Sequence, residues 1–244
     1  MSHLLNGLYA ITDARLQRPD QLIDHVRQAI DGGARLIQYR DKSSDAMFRL
    51  RQARDLADLC RERGVALIIN DDVQLAAECG ARGVHLGKND ADPQTARQLL
   101  GDNAIIGVSC YNDLSLALQA ANQGANYIAF GRFFPSRTKP KAVQAGLDLI
   151  RLARQQISLP VAAIGGITAH NATPLLDVGV AMLAVVHGVF AAADIRQAAA
   201  AYAALFQQQG VANVPSPGVG CHESPLLPEE DVVKVPSPPG RGLG

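Results

Sequence analysis

Between Leu8 and about Gln209, eight short apolar segments alternate with helical patterns, and this alternation constrains the fold more than any other feature. Each segment is bounded by turn residues, as is typical of a buried parallel strand. Several of the helical patterns end in glycine, the expected residue at a helix C-terminus. The predicted strands are Leu8–Thr12, Leu36–Arg40, Ala66–Asn70, Gly83–Leu86, Ile105–Ser109, Tyr127–Phe130, Val161–Ile164 and Met182–Val186.

Eight strand–helix units in roughly 200 residues predict a single (β/α)₈ TIM barrel, an α/β fold. An open doubly wound sheet is the alternative, although it normally has fewer strands and no closure. We expect the barrel to occupy residues 1–209. Residues 210–244 hold seven of the thirteen prolines and no periodic apolar pattern, which predicts a disordered Pro/Gly-rich C-terminal tail.

The composition indicates a cytoplasmic protein that acts on small molecules. Positive and negative charges balance, with a pI of about 7.0, so nothing favours binding to nucleic acid or to an anionic membrane. The four cysteines are scattered without a metal-like spacing, as expected of reduced thiols. The N-terminus is too short and polar for a signal peptide, and no apolar run reaches the ~18 residues of a membrane span.

Acidic residues follow two neighbouring strands. Asn70 and Asp71 come after the third predicted strand, and Lys88 and Asp90 come after the fourth. The carboxyl ends of parallel strands meet at one edge of the sheet, where ligands bind. Two carboxylates beside an amide and a lysine suit Mg²⁺ bound together with a substrate phosphate. The alternative is that each aspartate only caps the helix that follows it.

The second strand ends in Gln38-Tyr39-Arg40-Asp41-Lys42. Because side chains alternate along an extended segment, Gln38, Arg40 and Lys42 share one face. Cationic residues at the top of an inward face form a poor packing surface but a good clamp for an anion. A solvated strand end with a Lys–Asp surface pair is the alternative.

Three later loops also carry polar or glycine-rich patterns. Residues 131–141 form a long loop of hydroxyls and cations, which we expect to hold phosphate through Ser136, Thr138 and Lys139; the alternative is a mobile basic surface loop. Glycines after strands seven and eight, including Gly166, are typical of the phosphate site of such barrels. Ser109 after strand five is compatible with a simple helix cap, and His187 is assigned no proton transfer.

Together these segments resemble the thiamine-phosphate synthase family, also called thiamine-phosphate pyrophosphorylase. The resemblance covers about Gly7 to Phe206 and rests on five motifs in order, followed by Gly165-Gly166-Ile167. The motifs are Gly7-Leu8-Tyr9-Ala10-Ile11-Thr12-Asp13, Gln38-Tyr39-Arg40-Asp41-Lys42, Ile69-Asn70-Asp71, His85-Leu86-Gly87-Lys88-Asn89-Asp90 and Phe134-Pro135-Ser136-Arg137-Thr138-Lys139.

The resemblance implies a transferase that couples 4-amino-2-methyl-5-hydroxymethylpyrimidine diphosphate to hydroxyethylthiazole phosphate, giving thiamine phosphate and pyrophosphate. It implies Mg²⁺ held by Asp71 and Asp90, and leaving-group charge stabilised by Arg40, Lys42 and Lys139. The implied contacts to the pyrimidine diphosphate are Gln38, Tyr39, Arg40, Asp41, Lys42, Asn70, Ser109 and Lys139. The implied contacts to the thiazole phosphate are Ser136, Arg137, Thr138, Gly166, Val186 and His187.

The sequence departs from the family pattern at three places. Ser136 stands where threonine is frequent, Val186-His187-Gly188 replaces a usual Ser-Ala pair, and Lys88 replaces glutamine. Three other functions are alternatives: a thiazole-phosphate isomerase on the same scaffold, a sugar-phosphate isomerase or epimerase, and a non-catalytic phosphate-binding barrel. The paired aspartates and the cationic clamp favour the coupling enzyme over the first and the third. The second would need an acid/base pair or a metal–His cluster at the strand ends, which the sequence does not offer.

Overall fold

The structure, a computed structural model, describes residues 4–43, 45–135 and 143–212. Its eight strands are parallel and follow one another in chain order around a closed barrel, with β8 hydrogen-bonded to β1. The strands are β1 (Gly7–Ile11), β2 (Ala34–Tyr39), β3 (Ala66–Asn70), β4 (Gly83–Leu86), β5 (Ile105–Tyr111), β6 (Tyr127–Phe130), β7 (Val161–Ile164) and β8 (Met182–Val185). The predicted (β/α)₈ barrel is confirmed; the largest differences are that β2 begins at Ala34 and β5 runs on to Tyr111.

Helices connect the strands and surround the barrel. They are α1 (Leu22–Asp31), α2 (Ala46–Glu62), α3 (Val73–Cys79), α4 (Pro93–Leu100), α5 (Leu114–Asn122), α6 (Leu147–Gln156), α7 (Thr173–Asp177), α8 (His187–Phe190) and α9 (Ile195–Ala212). The last helix runs past Gln209, the predicted end of the barrel, and the rest of the predicted tail lies outside the described residues. None of the helices in the described segments combines the length and the apolarity needed to span a bilayer.

Five of the described helices begin at an aspartate whose side chain accepts a hydrogen bond from the backbone of the first turn. The capping residues of α2, α3, α4, α5 and α9 are Asp45, Asp72, Asp92, Asp113 and Asp194, respectively. Each such cap stabilises a helix by about 1 kcal/mol. The caps also fix where the loops at the carboxyl ends of the strands turn into helices.

The hydrophobic core has two layers. The larger layer lies between the strands and the helices, and the smaller one fills the barrel interior with side chains such as Leu36, Ile68 and Met182. Tyr127 is fully buried in this interior layer. A Cβ atom on Gly107 of the neighbouring strand would lie 1.9 Å from the ring of Tyr127, so only glycine leaves room for the ring there.

Candidate active site

A cavity of about 480 Å³ opens at the carboxyl ends of the strands. Side chains or backbone from all eight strands, or from the loops that follow them, line it. Its wall carries three cationic side chains, Arg40, Lys42 and Arg132, together with Gly165 and Gly166. This is the end of the barrel at which ligands bind in enzymes of this fold.

The end of β2 shows the predicted alternation. Gln38, Arg40 and Lys42 line the cavity, whereas Tyr39 and Asp41 line a second, smaller cavity of about 50 Å³. The Tyr39 hydroxyl donates to Gln52 Oε1 at 2.9 Å on that side. The structure therefore does not bring the side chains of Tyr39 and Asp41 into the main cavity, because successive side chains of an extended segment point in opposite directions.

Asp71 lies directly after β3 in a left-handed backbone conformation, with φ of 67°. Its N–H donates to the carbonyl of His85 at 2.8 Å, which fixes the turn against β4. Lys42 Nζ donates to Asp71 Oδ2, so the cationic end of β2 and the acidic end of β3 are in contact. The turn directs Asp71 into the cavity, where it also lines the wall.

Asp90 lies in the next loop, after β4. Its Oδ2 accepts a hydrogen bond from the N–H of Gly87 at 2.7 Å. Neither Asp71 nor Asp90 caps a helix, because Asp72 and Asp92 hold those positions. The alternative interpretation of the two aspartates as caps is therefore wrong, and their carboxylates are available for a ligand.

The two carboxylates influence each other's ionisation. Burial raises the pKa of Asp90, the Gly87 N–H partly offsets this, and the neighbouring Asp71 carboxylate raises it further. Burial also acts to raise the pKa of Asp71, but hydrogen bonds with Lys42 and Asp90 outweigh it, so this pKa lies below its ordinary value. Repulsion between two adjacent carboxylates is the condition that a bound cation relieves.

The donor set suits Mg²⁺ better than a metal that needs a full cage of protein ligands. In the described part of the chain, no group of three or more His, Cys, Asp or Glu side chains is placed to hold a metal ion. Mg²⁺ is usually bound by one or two carboxylates, several waters and substrate phosphates. Asp71 and Asp90, next to a cavity with cationic walls, fit that form of binding.

A line of buried polar side chains crosses the barrel beneath the cavity. Gln38 Nε2 donates to the Tyr9 hydroxyl at 2.7 Å, which lies 2.8 Å from the Tyr127 hydroxyl. The Tyr127 hydroxyl is 2.8 Å from His85 Nδ1, and His85 Nε2 is 2.8 Å from Ser109 Oγ. We call these five residues, from Gln38 to Ser109, the polar relay. Sequence reasoning missed its three central members, although a histidine within an apolar strand was a usable signal.

The glycine loop after β7 forms another part of the wall. Gly166 has φ of 66°, and a Cβ atom there would lie 2.2 Å from the carbonyl oxygen of Pro135. Asn171 Nδ2 donates to the Gly166 carbonyl at 3.1 Å and holds the loop. The helix α7 begins only at Thr173, and α8, which starts at His187 soon after β8, has just four residues. Backbone N–H groups, more than helix dipoles, are thus the available donors.

Most of the other residues predicted for the site also line the cavity. Asn70, Ser109, Val186 and His187 are among them. The predicted loop residues Ser136, Arg137, Thr138 and Lys139 lie outside the described residues. The lining also includes residues that were not assigned to the site from the sequence, among them Tyr111, Arg132 and Thr168.

The fold and the cavity together define a (β/α)₈ barrel with a polar cavity at the carboxyl ends of the strands, where barrel enzymes have their active sites. Residues 8–189 match the family model described as thiamine monophosphate synthase. The chain therefore belongs to the thiamine monophosphate synthase family.

Similar proteins agree with this assignment. The chain is 49% identical to thiamine-phosphate synthase of Nitrosococcus oceani over 217 residues, which cover 89% of this chain and 99% of that protein. It is 50% identical to thiamine-phosphate synthase of Methylococcus capsulatus over 200 residues, covering 82% and 89% of the two chains. Among solved structures, thiamine phosphate pyrophosphorylase from Pyrococcus furiosus superposes with a TM-score of 0.75 and 34% identity, covering 84% of this chain and 96% of that one.

Proposed function

We propose that this protein is a transferase that forms thiamine phosphate. It couples 4-amino-2-methyl-5-hydroxymethylpyrimidine diphosphate to hydroxyethylthiazole phosphate and releases pyrophosphate. One observation carries this proposal: a single cavity is lined by a cationic strand end, by Asp71 and by a glycine loop, and the Asp90 carboxylate lies next to Asp71. Those are the groups that a diphosphate, its divalent cation and a second phosphate require. Relatives that are about half identical and carry the name thiamine-phosphate synthase support it further.

The diphosphate end of the pyrimidine substrate is placed against β2. Arg40 and Lys42 extend from this strand end into the cavity, and the Arg40 backbone N–H is held by Thr12 Oγ1 at 2.9 Å. Guanidinium and ammonium groups stabilise the charge that develops on a departing diphosphate without having to reorganise. Lys139, outside the described residues, is proposed as a third cation for the same charge.

Asp71 and Asp90 are the proposed holders of Mg²⁺. When bound, the ion would neutralise negative charge on the diphosphate. Lys42 contacts Asp71, so this lysine is available to transfer its hydrogen bond to the diphosphate once Asp71 has a cation to bind. Asp71 thereby positions the cationic end of β2.

Bond breaking is proposed to precede bond making. The C–O bond between the pyrimidine methylene and the diphosphate breaks, its electron pair leaves with the diphosphate, and the electron-rich aminopyrimidine stabilises the resulting cation. The thiazole nitrogen then donates its lone pair to that methylene. No proton leaves either reactant, so the residues act by positioning and charge stabilisation and no general base is needed.

The thiazole phosphate is proposed to bind at the glycine loops that follow β7 and β8. Gly166, Val186 and His187 line this part of the cavity. At Val186-His187 the family's usual Ser-Ala pair is absent, so we propose that backbone N–H groups make the phosphate contacts here. The acidic pair and the cationic β2 end favour the coupling reaction over a thiazole-phosphate isomerase or a non-catalytic binder, neither of which needs both.

The decisive assay mixes purified protein with both substrates and Mg²⁺ and detects thiamine phosphate by thiochrome fluorescence. We expect product that EDTA abolishes and that added Mg²⁺ restores. Thiazole-phosphate isomerisation without coupling would overturn the proposal in favour of the isomerase. Product that is insensitive to EDTA would remove the metal from the mechanism while leaving the coupling reaction in place.

We also propose that the protein works in the cytoplasm. Cys60, Cys79 and Cys110 are buried free thiols, and burial raises the pKa of Cys60 and Cys110 to about 12. Thiols of this kind are unreactive and suit a reducing compartment.

A further inference from the structure

The polar relay is built almost entirely in the barrel interior, yet both of its ends line the cavity. Tyr9 is 1% exposed, Tyr127 0% and Gln38 3%, and His85 is at the limit of burial with 9%. Tyr9 and His85 also line the cavity, but Gln38 and Ser109 are the two ends of the relay and each keeps a polar group for a ligand. A chain of buried hydroxyls must be hydrogen-bonded throughout, because each unpaired group would be strongly destabilising. This requirement determines, for each hydrogen bond of the relay, which residue is the donor and which is the acceptor.

The donors and acceptors can be assigned in order, beginning with Gln38. Its amide nitrogen faces the Tyr9 hydroxyl and can only donate, so the Tyr9 oxygen is the acceptor. Within the described residues the Tyr9 hydroxyl has two hydrogen-bond partners, Gln38 and Tyr127. Its hydrogen must therefore point to Tyr127, since otherwise a buried O–H would have no acceptor.

The remaining links follow in the same direction. Tyr127 receives the hydrogen bond of Tyr9 and gives its own hydrogen to His85 Nδ1. His85 must then be neutral with its proton on Nε2, because a proton on Nδ1 would face the Tyr127 hydrogen. Nε2–H donates to Ser109 Oγ, and Ser109 keeps its own hydrogen for a ligand.

We propose that His85 is a positioning residue that fixes the hydrogen-bond polarity of the pocket. Ser109 is held as a donor toward the ligand, and the Gln38 amide, with its nitrogen turned to Tyr9, presents its oxygen as an acceptor. The site therefore selects a heterocycle with an acceptor facing Ser109 and a donor facing Gln38. An aminopyrimidine offers a ring nitrogen and an amino group in these roles, so the inference rests on the proposed function for the identity of the ligand. The corresponding oxo-pyrimidine, with a carbonyl and a ring N–H, reverses both roles.

The first test observes the tautomer directly. Nitrogen-15 shifts of the imidazole rings distinguish a protonated from an unprotonated ring nitrogen, and the signals of His85 are identified by their absence from the His85→Gln variant. We expect a protonated Nε2 and an unprotonated Nδ1 in the ligand-free protein. A protonated Nδ1 would mean that the relay runs in the opposite direction and would overturn the proposal. This measurement needs no turnover, so its outcome is independent of the proposed reaction.

The second test removes one link without touching either end of the relay. Tyr127→Phe removes the hydroxyl that donates to His85 Nδ1, so the proton of His85 is no longer restricted to Nε2. We expect kcat/KM for the amino-pyrimidine diphosphate, relative to its oxo analogue, to fall about tenfold, the size expected for one hydrogen bond. Tyr202→Phe is the matched control, because it removes another buried tyrosine hydroxyl, which donates to the Ile167 carbonyl at 3.1 Å outside the relay. Equal losses for the two substrates in Tyr127→Phe would show a merely structural role and overturn the proposal.

A third comparison keeps the test valid if Tyr127→Phe folds poorly. His85→Gln retains an N–H that can donate to Ser109, whereas His85→Leu has a similar volume and no donor. We expect His85→Gln to retain most of the preference for the amino substrate and His85→Leu to lose it. Equal selectivity in the two variants would overturn the assignment. Absence of turnover in the wild-type protein would instead contradict the proposed function and leave the nitrogen-15 result standing.

Discussion

The two ends of the barrel use cationic side chains in opposite ways. At the amino-end face, Arg97 donates to the carbonyls of Gly101, Asp102, Ala104 and Gly124, at 2.6–3.2 Å, and to Asn126 Oδ1 at 2.8 Å. At the carboxyl-end face, Lys42 is 58% exposed and pairs with Asp71. An arginine that donates to four backbone carbonyls and to an asparagine side chain stabilises the loops around it. A lysine with one carboxylate partner in an open cavity can exchange that partner for an anion.

The backbone conformation also differs between the two faces, in the residues that have positive φ. In the described segments, the non-glycine residues with positive φ are Asp71 and Tyr111, both at the carboxyl ends of strands. At the amino-end face, Gly101 and Gly124 take the positive-φ positions at helix ends. A left-handed conformation is unfavourable for residues other than glycine and is tolerated where function requires it. The carboxyl-end face thus gives up some stability to place functional groups.

The largest effect, a fall in kcat/KM, is expected for Asp71→Asn at the carboxyl-end face. Asparagine tolerates the left-handed conformation, so the melting temperature should hardly change, whereas removal of a charge from the proposed metal-binding pair should lower kcat/KM on the order of 100-fold or more. Steady-state kinetics over a range of Mg²⁺ concentrations measure this. Asp72→Asn is the matched control, because asparagine is as good an N-cap as aspartate and Asp72 is not part of the pair. Similar losses in both variants would contradict the distinction between the metal pair and the caps.

For Arg97→Met at the amino-end face we expect a large loss of stability and no loss of activity. Several carbonyls would lose a charged donor, and we expect the free energy of unfolding to fall by roughly 2 kcal/mol, with kcat/KM per folded molecule unchanged. Chemical denaturation and kinetics on the same sample measure both quantities. Arg61→Met removes an exposed pair with Asp58 and should change stability by less than about 0.5 kcal/mol. A fall in kcat/KM for Arg97→Met would show that the two faces are not independent.

The smallest effect, a change in the pH dependence of stability, is expected at Asp13. This acidic residue of the carboxyl-end face stabilises the fold. Hydrogen bonds from Arg15 hold the pKa of Asp13 below its ordinary value against the opposing effect of burial. A lowered folded-state pKa stabilises the protein above the unfolded value of about 3.9, and this stabilisation disappears as the pH falls through the folded value. Arg15 is 64% exposed, so solvent screening limits the contribution to about 1 kcal/mol or less.

Unfolding of wild type and Asp13→Asn at several pH values tests this expectation. The difference in stability should be present at pH 7 and vanish in acid. A difference that grows on acidification would contradict the assignment of Asp13 as a stabilising carboxylate.

The barrel could be predicted from the sequence because its signal is local and repeated. Short apolar strands and glycine-ended helices occur eight times, and the carboxyl ends of parallel strands converge whatever their exact bounds. The placement of Gln38, Arg40 and Lys42 in the cavity followed from alternation along one extended segment. The same rule, applied to Tyr39 and Asp41, would have excluded their side chains.

The other parts of the site depend on contacts between distant segments. The choice between Asp71 and Asp72 as the helix cap is decided by one left-handed residue, which periodicity does not show. The polar relay joins five strands, and in the sequence its tyrosines look like ordinary barrel-filling residues. The bounds of the helices at the glycine loops also could not be predicted from a local pattern, since α7 starts only at Thr173 and α8 has four residues.

The missing side chain at Gly107 has a consequence for how this enzyme could change its substrate. A Cβ atom there would lie 2.3 Å from the Tyr127 hydroxyl oxygen as well as 1.9 Å from the ring. Any larger residue would therefore shift Tyr127, the tyrosine that fixes the tautomer of His85, although Gly107 itself does not line the cavity. In a laboratory evolution experiment for altered heterocycle preference, we expect substitutions at this buried glycine to be recovered alongside those in the pocket wall.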